Sequence, residues 1–595
     1  MMQGAILLVL SLCLGFVAPV SAQQQLMAVE EIKPGMTGIG KTVIQGTSIE
    51  NFDVEVLSIL KQKGSTGDKI LVRVSGDVID KTGGIASGMS GSPVYIEGKL
   101  IGAIAYGWAM TDRRIGMVTP IYEMLKIGAT SAADGENELP ANETKAQVLS
   151  TPLMVSGLGE RALEKLKEQL KPFNLTPVIT GAAGEAANTK TELEPGSAMG
   201  VQLMRGDIDM TAVGTVTYRD GDKILGFGHP FLKRGNVGYF LTTAYIHQTI
   251  PSLDTSFKLG TALDLAGTIS QDRGNGIFGK TGSYPHNIPL RVHVKDLDTG
   301  RENELFVQVI QDEQISASLV TTAALQAIEQ TLDRTGLGTS WVKMEILGRN
   351  LPGDKIVREN MFFHPADIGA GSLGEMLEGL AIILNNPFQP VEIIDVKLDV
   401  AVEQEVRIAK IEQAQAKITT GKPGDTVPIC VTLKPFRGEA IQETINFTIP
   451  AHQAPGPLTL SVRGGGSLSP LQKLLAQLGT QETQTEKPKN LQDYLQEFLR
   501  RDRNNELVAE IVPFNMGNDP AMLYGGEIPL SGYNNAKLPA ATKTSNNAKM
   551  NQTASGLEQV SKKLTDYIID GNAWLFIQVE GKTASGKEPK IGTAP

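Results

Sequence analysis

The sequence predicts a mainly β fold with α+β parts, spread over several domains. Three observations predict it. Apolar residues recur at every second position in many short segments: Ile70, Val72 and Val74; Val396, Leu398, Val400 and Val402; Val427, Ile429, Val431 and Leu433; Ile445, Phe447 and Ile449. That period marks half-buried strands. Turn residues punctuate these segments, in a chain with 64 Gly and 31 Pro among 595 residues. Helical periodicity is confined to a few stretches, chiefly 160–170, 319–332 and 372–384. At roughly 150 residues per domain, the length calls for three to five domains.

Composition narrows the function classes. The apolar share is 41% and the charged share 20%, which excludes a mostly disordered or collagen-like chain. Lys and Arg total 55 against 65 Asp and Glu, a net charge of -10 with no basic block, so no nucleic-acid partner is expected. Two Cys exclude a disulfide-stapled scaffold and a Cys-rich zinc framework, and no metal or other cofactor is expected.

The elements follow in order. An apolar run over 5–17, then Val20-Ser21-Ala22 and the polar Gln23-Gln24-Gln25, reads as a signal peptide over 1–22. No Lys or Arg precedes the run, so one anchoring helix is the alternative, although the run is shorter than the ~20 residues a span needs. The expected destination is the periplasm, the cell envelope or the extracellular space, with no transmembrane span after signal removal. Cys13 leaves with the signal, and Cys430, in an alternating stretch, is expected to be a small buried apolar residue.

Residues 69–78 alternate as a strand, and 93–106 read as a hairpin turning at Glu97-Gly98. A second hairpin turns at Arg219-Asp220-Gly221-Asp222. Leu163, Leu166 and Leu170 make one helical face, stopped by Pro172. Ser372 and Glu375 have capping-box spacing ahead of a stripe through Leu384. Residues 534–555 are polar and low in apolar content, and a helix is expected from Leu557.

Gly35-Met36-Thr37-Gly38-Ile39-Gly40-Lys41-Thr42 matches the phosphate-loop pattern. That pattern needs a buried strand before the loop and a helix after it. Here Lys33-Pro34 enters, and Thr42-Val43-Ile44-Gln45-Gly46 leaves as an extended, Gly-broken segment. A glycine-rich turn between strands is the better account, and no nucleotide is expected.

Gly88-Met89-Ser90-Gly91-Ser92-Pro93 is the sharpest signal. A serine nucleophile needs an exposed position, a base and N–H donors for the oxyanion, and flanking glycines let the backbone turn tightly around it. The elbow of α/β-hydrolases also puts Ser between glycines, but a helix follows it. Pro93 and an alternating hairpin follow Ser90. This segment, with Ala105-Tyr106-Gly107-Trp108 and 115–121 beyond it, resembles trypsin-like serine peptidases. Lys81-Thr82-Gly83-Gly84-Ile85 through Pro93 is similar to the SpoIVB peptidase family, serine peptidase family 55.

The resemblance implies a permuted trypsin-like double β-barrel; beyond it the patterning predicts an α+β region and, from the period-two segments after Val396 and the Pro423-Gly424 turn, a C-terminal β-sandwich. The resemblance covers about 35–273. The expected domains are a serine-bearing barrel half over 26–128, a linker over 129–148 and a histidine-bearing half over 149–290. Then come an α+β region over 291–392, a sandwich over 393–465 and a helical or flexible region over 466–595. Of the six histidines, His229, in Ile224-Leu225-Gly226-Phe227-Gly228-His229-Pro230, resembles the family's histidine segment; His247 is the fallback. Serine preceding histidine makes the arrangement permuted, which a triad tolerates because it is a geometry.

The resemblance places the third member at Asp77, with Asp254 the alternative; Asp80 and Asp220 are read as turn residues. It assigns the oxyanion hole to the backbone N–H groups of Gly88 and Ser90, and substrate binding to Tyr106 and Gly107. Met89 stands where trypsin-like zymogens carry Asp, so activation by a freed N-terminus is not expected. With no acidic residue at the serine-side pocket, a small or apolar preference is expected. The implied function is an exported serine endopeptidase acting on protein or peptide, self-processing or acting on envelope proteins. The alternatives are a catalytically silent envelope scaffold of the same fold, or a Ser–Lys hydrolase using Lys81 or Lys99.

Overall fold

The computed structural model describes residues 24–61, 67–108, 111–129, 147–148, 151–182, 184, 189–252, 255–469, 488–512 and 560–581. The signal segment 1–22, most of the linker, Asp254 and the polar stretch 534–555 lie outside the described residues. Two units result: Met1–Met154 with Thr180–Gln202 and Thr211–Tyr284, and Val155–Ile179 with Leu203–Met210 and Pro285–Pro595.

The first unit begins with β1 (Thr37–Thr42), β2 (Glu50–Leu60), β3 (Lys69–Ser75), β4 (Pro93–Ile96), β5 (Lys99–Gly107) and β6 (Ile115–Pro120). They are ordered β4-β1-β2-β3-β6-β5, and β4 also pairs with β5, so the ring closes into a six-stranded barrel. Closure leaves no unpaired edge, and alternation fills the interior. Val54, Val56, Ile70, Val72, Val74, Val94, Ile96 and Ile104 share that core with Met89. The expected turn is present, with φ of 50° at Glu97 and 74° at Gly98, the two positive values a tight hairpin uses. The phosphate-loop look-alike is mostly strand where a glycine-rich turn between strands was expected: a turn at Pro34-Gly35 leads into Thr37–Thr42, which is β1 itself and pairs with β2 and β4. The strand expected to reach residue 78 stops at Ser75. Gly76 takes φ 97°, and a short helix α1 (Asp77–Thr82) follows, burying Val78 and Ile79.

A second ring is built from β7 (Ala198–Gly206, residues 198–202 in this unit), β8 (Asp209–Asp220, residues 211–220), β9 (Lys223–Gly226), β10 (Gly235–Ile250), β11 (Phe257–Arg273) and β12 (Gly276–Thr281). Its order is β7-β10-β11-β12-β9-β8, closed by β7–β8 pairing. The β8–β9 hairpin turns at Gly221 and Asp222, with Asp220 opposite Lys223. A register shift between Val216 and Tyr218 bends β8 beside the chain that leaves β9.

In the second unit, Asn287–Asp296 pairs with Glu302–Ile310 and, in parallel, with Glu392–Glu403. Glu392–Glu403 also pairs with Gly338–Arg349. It therefore belongs to this sheet and does not open the sandwich expected from 393. The helix Glu160–Leu170 packs on Ser316–Leu332, with Thr322 Oγ1 donating to Gln169 Oε1 at 3.0 Å and Arg161 3.1 Å from Glu329. Residues 155–179 thus fold here, outside the histidine-bearing half expected over 149–290. The expected capping box does not form. Glu375 accepts from Arg358 at 2.9 Å and from Asn360 at 2.7 Å, and the helix runs over Gly374–Leu384.

Two further sheets share one apolar core. Ile408–Ala416, Thr426–Pro435, Ile441–Thr448 and Ile568–Asp570 form one; Thr420–Gly421, Gly456–Gly464, Glu506–Ile511, Val560–Leu564 and Asn572–Val579 form the other. Val427, Ile429, Val431, Phe447, Leu460, Val462, Leu575 and Ile577 meet between them. Strands from beyond 466 thus complete this core. The described chain from Val560 is strand where a helix was expected. Cys430 points to the opposite face from Ile429 and Val431, half-buried, its thiol donating to Gln442 Oε1 at 3.4 Å. Among the described residues no helix is long and apolar enough to cross a membrane.

Candidate active site

The Ser90 segment is a chain of tight turns. Met89 N–H donates to Ala86 O and Ser92 N–H donates to Met89 O, each at 2.9 Å. Gly88 and Gly91 take φ of 91° and 93°, the left-handed region that favours glycine. At Gly91 the neighbour also demands it, since a Cβ would lie 2.0 Å from Thr215 O and 2.6 Å from Phe227 N. Strand β8 runs that close because it holds the turn. Thr215 N–H donates to Ser90 O at 2.9 Å, Thr215 Oγ1 to Gly88 O at 2.9 Å and Thr217 Oγ1 to Gly91 O at 2.7 Å. From β11, Lys258 N–H donates to Ser87 O at 2.9 Å. A trans peptide points its N–H opposite its C=O. With Ser87 O tied to β11 and Met89 O to Ser92, the Gly88 and Ser90 N–H groups face away from those anchors.

His229 arrives from the end of β9. Phe227 and Gly228 have φ of 66° and 70°, which folds the chain back on itself. The carbonyl of Gly228 accepts from Thr119 Oγ1 at 2.7 Å, and Gly228 rests on Ala103 and Ala105 of β5. Two distant segments of the chain thereby meet: His229 Nε2 is 2.8 Å from Ser90 Oγ. His229 Nδ1 is 2.7 Å from Pro230 O. A carbonyl only accepts, so Nδ1 carries the proton and Nε2 accepts from the serine hydroxyl. Ser90 is 0% and His229 1% exposed. Burial pushes the imidazole down to about 4, against the pull of the Pro230 carbonyl. At neutral pH the ring is therefore uncharged, the state a general base requires.

The other candidate residues divide. Tyr106 packs its ring 6.3 Å from the His229 ring, and its hydroxyl donates to Gly274 O at 3.4 Å. Burial pushes that phenol up to about 12. Gly107 ends β5 and pairs with Gln147. Asp77 begins α1 with its side chain at the surface, and the Nδ1 proton goes to Pro230, so Asp77 is not brought to the imidazole. A carboxylate at the first residue of a helix favours the helix N-terminus. Asp80 pairs with Arg114 at 2.9 Å. His247 meets Tyr245 edge-on, with ring centroids 5.3 Å apart. Lys81 is exposed on α1, and Lys99 is half-buried at the start of β5.

Among the buried ionisable groups that sequence reasoning missed are Asp272 and Lys258. Asp272, 0% exposed at the end of β11, accepts from Phe231 N–H at 2.8 Å and from Leu232 N–H at 2.7 Å. Burial pushes its carboxyl up to about 6, against the N–H groups of residues 231–234. Lys258 donates to Thr42 Oγ1 at 2.9 Å and to Thr215 Oγ1 at 3.2 Å, and burial pushes its amine down to about 7. A lysine sharing the inward register of β11 with Gly260 was the available signal. Among the described residues, no group of three or more His, Cys, Asp or Glu could hold a metal ion.

Residues 18–125 match the model of the SpoIVB peptidase family, S55. That segment is similar to the peptidase family named from its motifs. The match includes Asp77 and Ser90 and stops before His229. No curated protein and no solved structure matches the chain.

Proposed function

We propose that this chain is an exported serine endopeptidase of SpoIVB type, with Ser90 as nucleophile and His229 as general base. One observation carries the reading. Side chains 139 residues apart in sequence meet at 2.8 Å inside one unit, and the base is already in the accepting tautomer. Ser90 Oγ attacks the scissile carbonyl as its proton passes to His229 Nε2. The Gly88 and Ser90 N–H groups receive the oxyanion. The imidazolium returns the proton to the leaving amine, and water then repeats the sequence on the acyl-enzyme. The chemistry is complete without a metal or cofactor.

The substrate is protein or peptide, either envelope proteins or the chain itself. Tyr106 and Gly107 line the path to Ser90. The Tyr106 ring beside His229 and the burial of both reacting groups support a substrate that enters only when this wall opens. The N-terminal segment supports delivery beyond the cytoplasmic membrane, and N-terminal sequencing of the exported protein would find a start near Gln23.

The test is fluorophosphonate labelling of the mature protein beside Ser90→Ala and His229→Ala. Labelling that depends on both residues is expected. Labelling that survives loss of Ser90 overturns the assignment. Absence of labelling in all three, after the Tyr106 wall has been opened by mutation, leaves the scaffold reading.

A further inference from the structure

We propose that Asp272 is the positioning residue of this site, acting on His229 through the peptide bond between Pro230 and Phe231. The inference rests on the reading of Ser90 and His229 as nucleophile and base. The decisive geometry is that one amide makes both contacts. Its carbonyl, Pro230 O, accepts from His229 Nδ1 at 2.7 Å. Its N–H, on Phe231, donates to Asp272 Oδ1 at 2.8 Å. The chain of bonds therefore runs from carboxylate to amide to imidazole to serine hydroxyl. An amide whose N–H is held by an anion has a more negative oxygen, because hydrogen bonds in series polarise one another. The carbonyl then holds the Nδ1 proton more firmly and better stabilises the imidazolium that forms on attack.

The surroundings fit that role. Asp272 is 0% exposed and also accepts from Leu232 N–H at 2.7 Å. The N–H groups of Lys233 and Arg234 complete the cradle, so the whole turn after His229 is fastened to one carboxylate. Pro230 offers no N–H of its own and has a fixed φ, which leaves its carbonyl direction to be set by this fastening. The strand positions opposite Asp272 are Gly235 and Ile277, which do not titrate. The charged neighbours are Lys233 and Arg234 on the turn, Arg273 beside it, and His229 across the amide.

The test is Asp272→Asn in the full mature chain, with two readouts. The first is the rate of fluorophosphonate labelling. It should fall roughly 10- to 100-fold, the range for loss of one charge-assisted hydrogen bond. The second is the nitrogen and Nδ1–H resonances of 15N-labelled histidine, which a merely structural role would not move. The His229 Nδ1–H signal should shift upfield or broaden. Unchanged labelling together with an unchanged resonance overturns the inference while leaving Ser90 and His229 in place. If labelling is absent even after Tyr106 has been replaced, the proposed function fails, and the resonance alone still decides the Asp272 question. Should the variant not fold, titration of the wild type replaces it. The Nδ1–H resonance should then move with a midpoint near 6, where burial has set the Asp272 carboxyl, and a flat response between pH 8 and 5 overturns the inference.

Discussion

Replacing Lys258 with Met should make the protein more stable at pH 6 and less stable near pH 10. The amine is fully buried, with two threonine hydroxyls as its hydrogen-bond partners. Burial lowers its pKa from 10.5 to about 7. At ~1.4 kcal/mol per pH unit, that gap corresponds to about 5 kcal/mol. The sign follows from proton counting. Between pH 7 and 10.5 the unfolded chain holds the proton that the folded chain has released, so stability rises with pH across that window. Below pH 7 the full penalty of a buried ammonium is present; above 10.5 none remains.

Methionine keeps the aliphatic stem that packs against Gly88 and removes the charge. It forfeits two hydrogen bonds at ~1 kcal/mol each. The net gain at pH 6 is about 3 kcal/mol, and near pH 10 the balance reverses to a loss of about 1–2 kcal/mol. For a unit of this size a kilocalorie moves the melting temperature by ~2–4 °C. Calorimetry at pH 6, 8 and 10 should show the variant melting about 6–12 °C higher at pH 6, with the two curves crossing before pH 10. Parallel curves, or a variant destabilised at pH 6, would refute the assignment of a strongly lowered amine pKa.

Two substitutions probe the turn and the wall. Gly91→Ala places a methyl 2.0 Å from Thr215 O at a φ of 93°. The turn must leave β8, so labelling of Ser90 should fall at least about 100-fold, in line with displacement of a reacting atom by ~1 Å; wild-type labelling would refute the role given to β8. Tyr106→Ala removes the ring beside His229 and the bond to Gly274 O. Labelling should rise roughly 3- to 10-fold, as for relief of a ~1 kcal/mol closure, and a fall would show instead that Tyr106 serves the reacting groups directly.

The two ends of the Ser90–His229 contact were legible for a physical reason. A nucleophile on a tight turn needs glycines beside it, and Gly88 and Gly91 announce that turn. Asp272 was illegible because it works through a backbone amide, which fixes no side-chain spacing between carboxylate and histidine. The placement of Asp77 came from resemblance alone, and α1 carries it to the surface. Period two located Glu392–Glu403 as a strand but gave no partner. Alternation tells which face is buried, while the neighbour is chosen by topology, here the parallel pairing with Asn287–Asp296. The same alternation, counted one residue over, would have turned Cys430 outward. Glu375 had the spacing of a local cap, but the ion pair with Arg358 from a distant strand took its carboxylate.

The dryness of the Ser90 site and the indirectness of its carboxylate belong together. Burial disfavours each charge separately: it moves His229 down to about 4 and Asp272 up to about 6. An imidazolium formed alone in such a pocket would be strongly disfavoured, and so would a lone carboxylate. Formed across one polarised amide, the two charges offset each other. In the proposed reaction, proton transfer from Ser90 therefore becomes favourable only while Asp272 is ionised, above about pH 6, and only when bound substrate supplies the oxyanion that completes the charge distribution. In the proposed reaction the serine and imidazole thus rest uncharged beside an ionised Asp272 and become charged only on attack, with no zymogen ion pair at the position Met89 occupies.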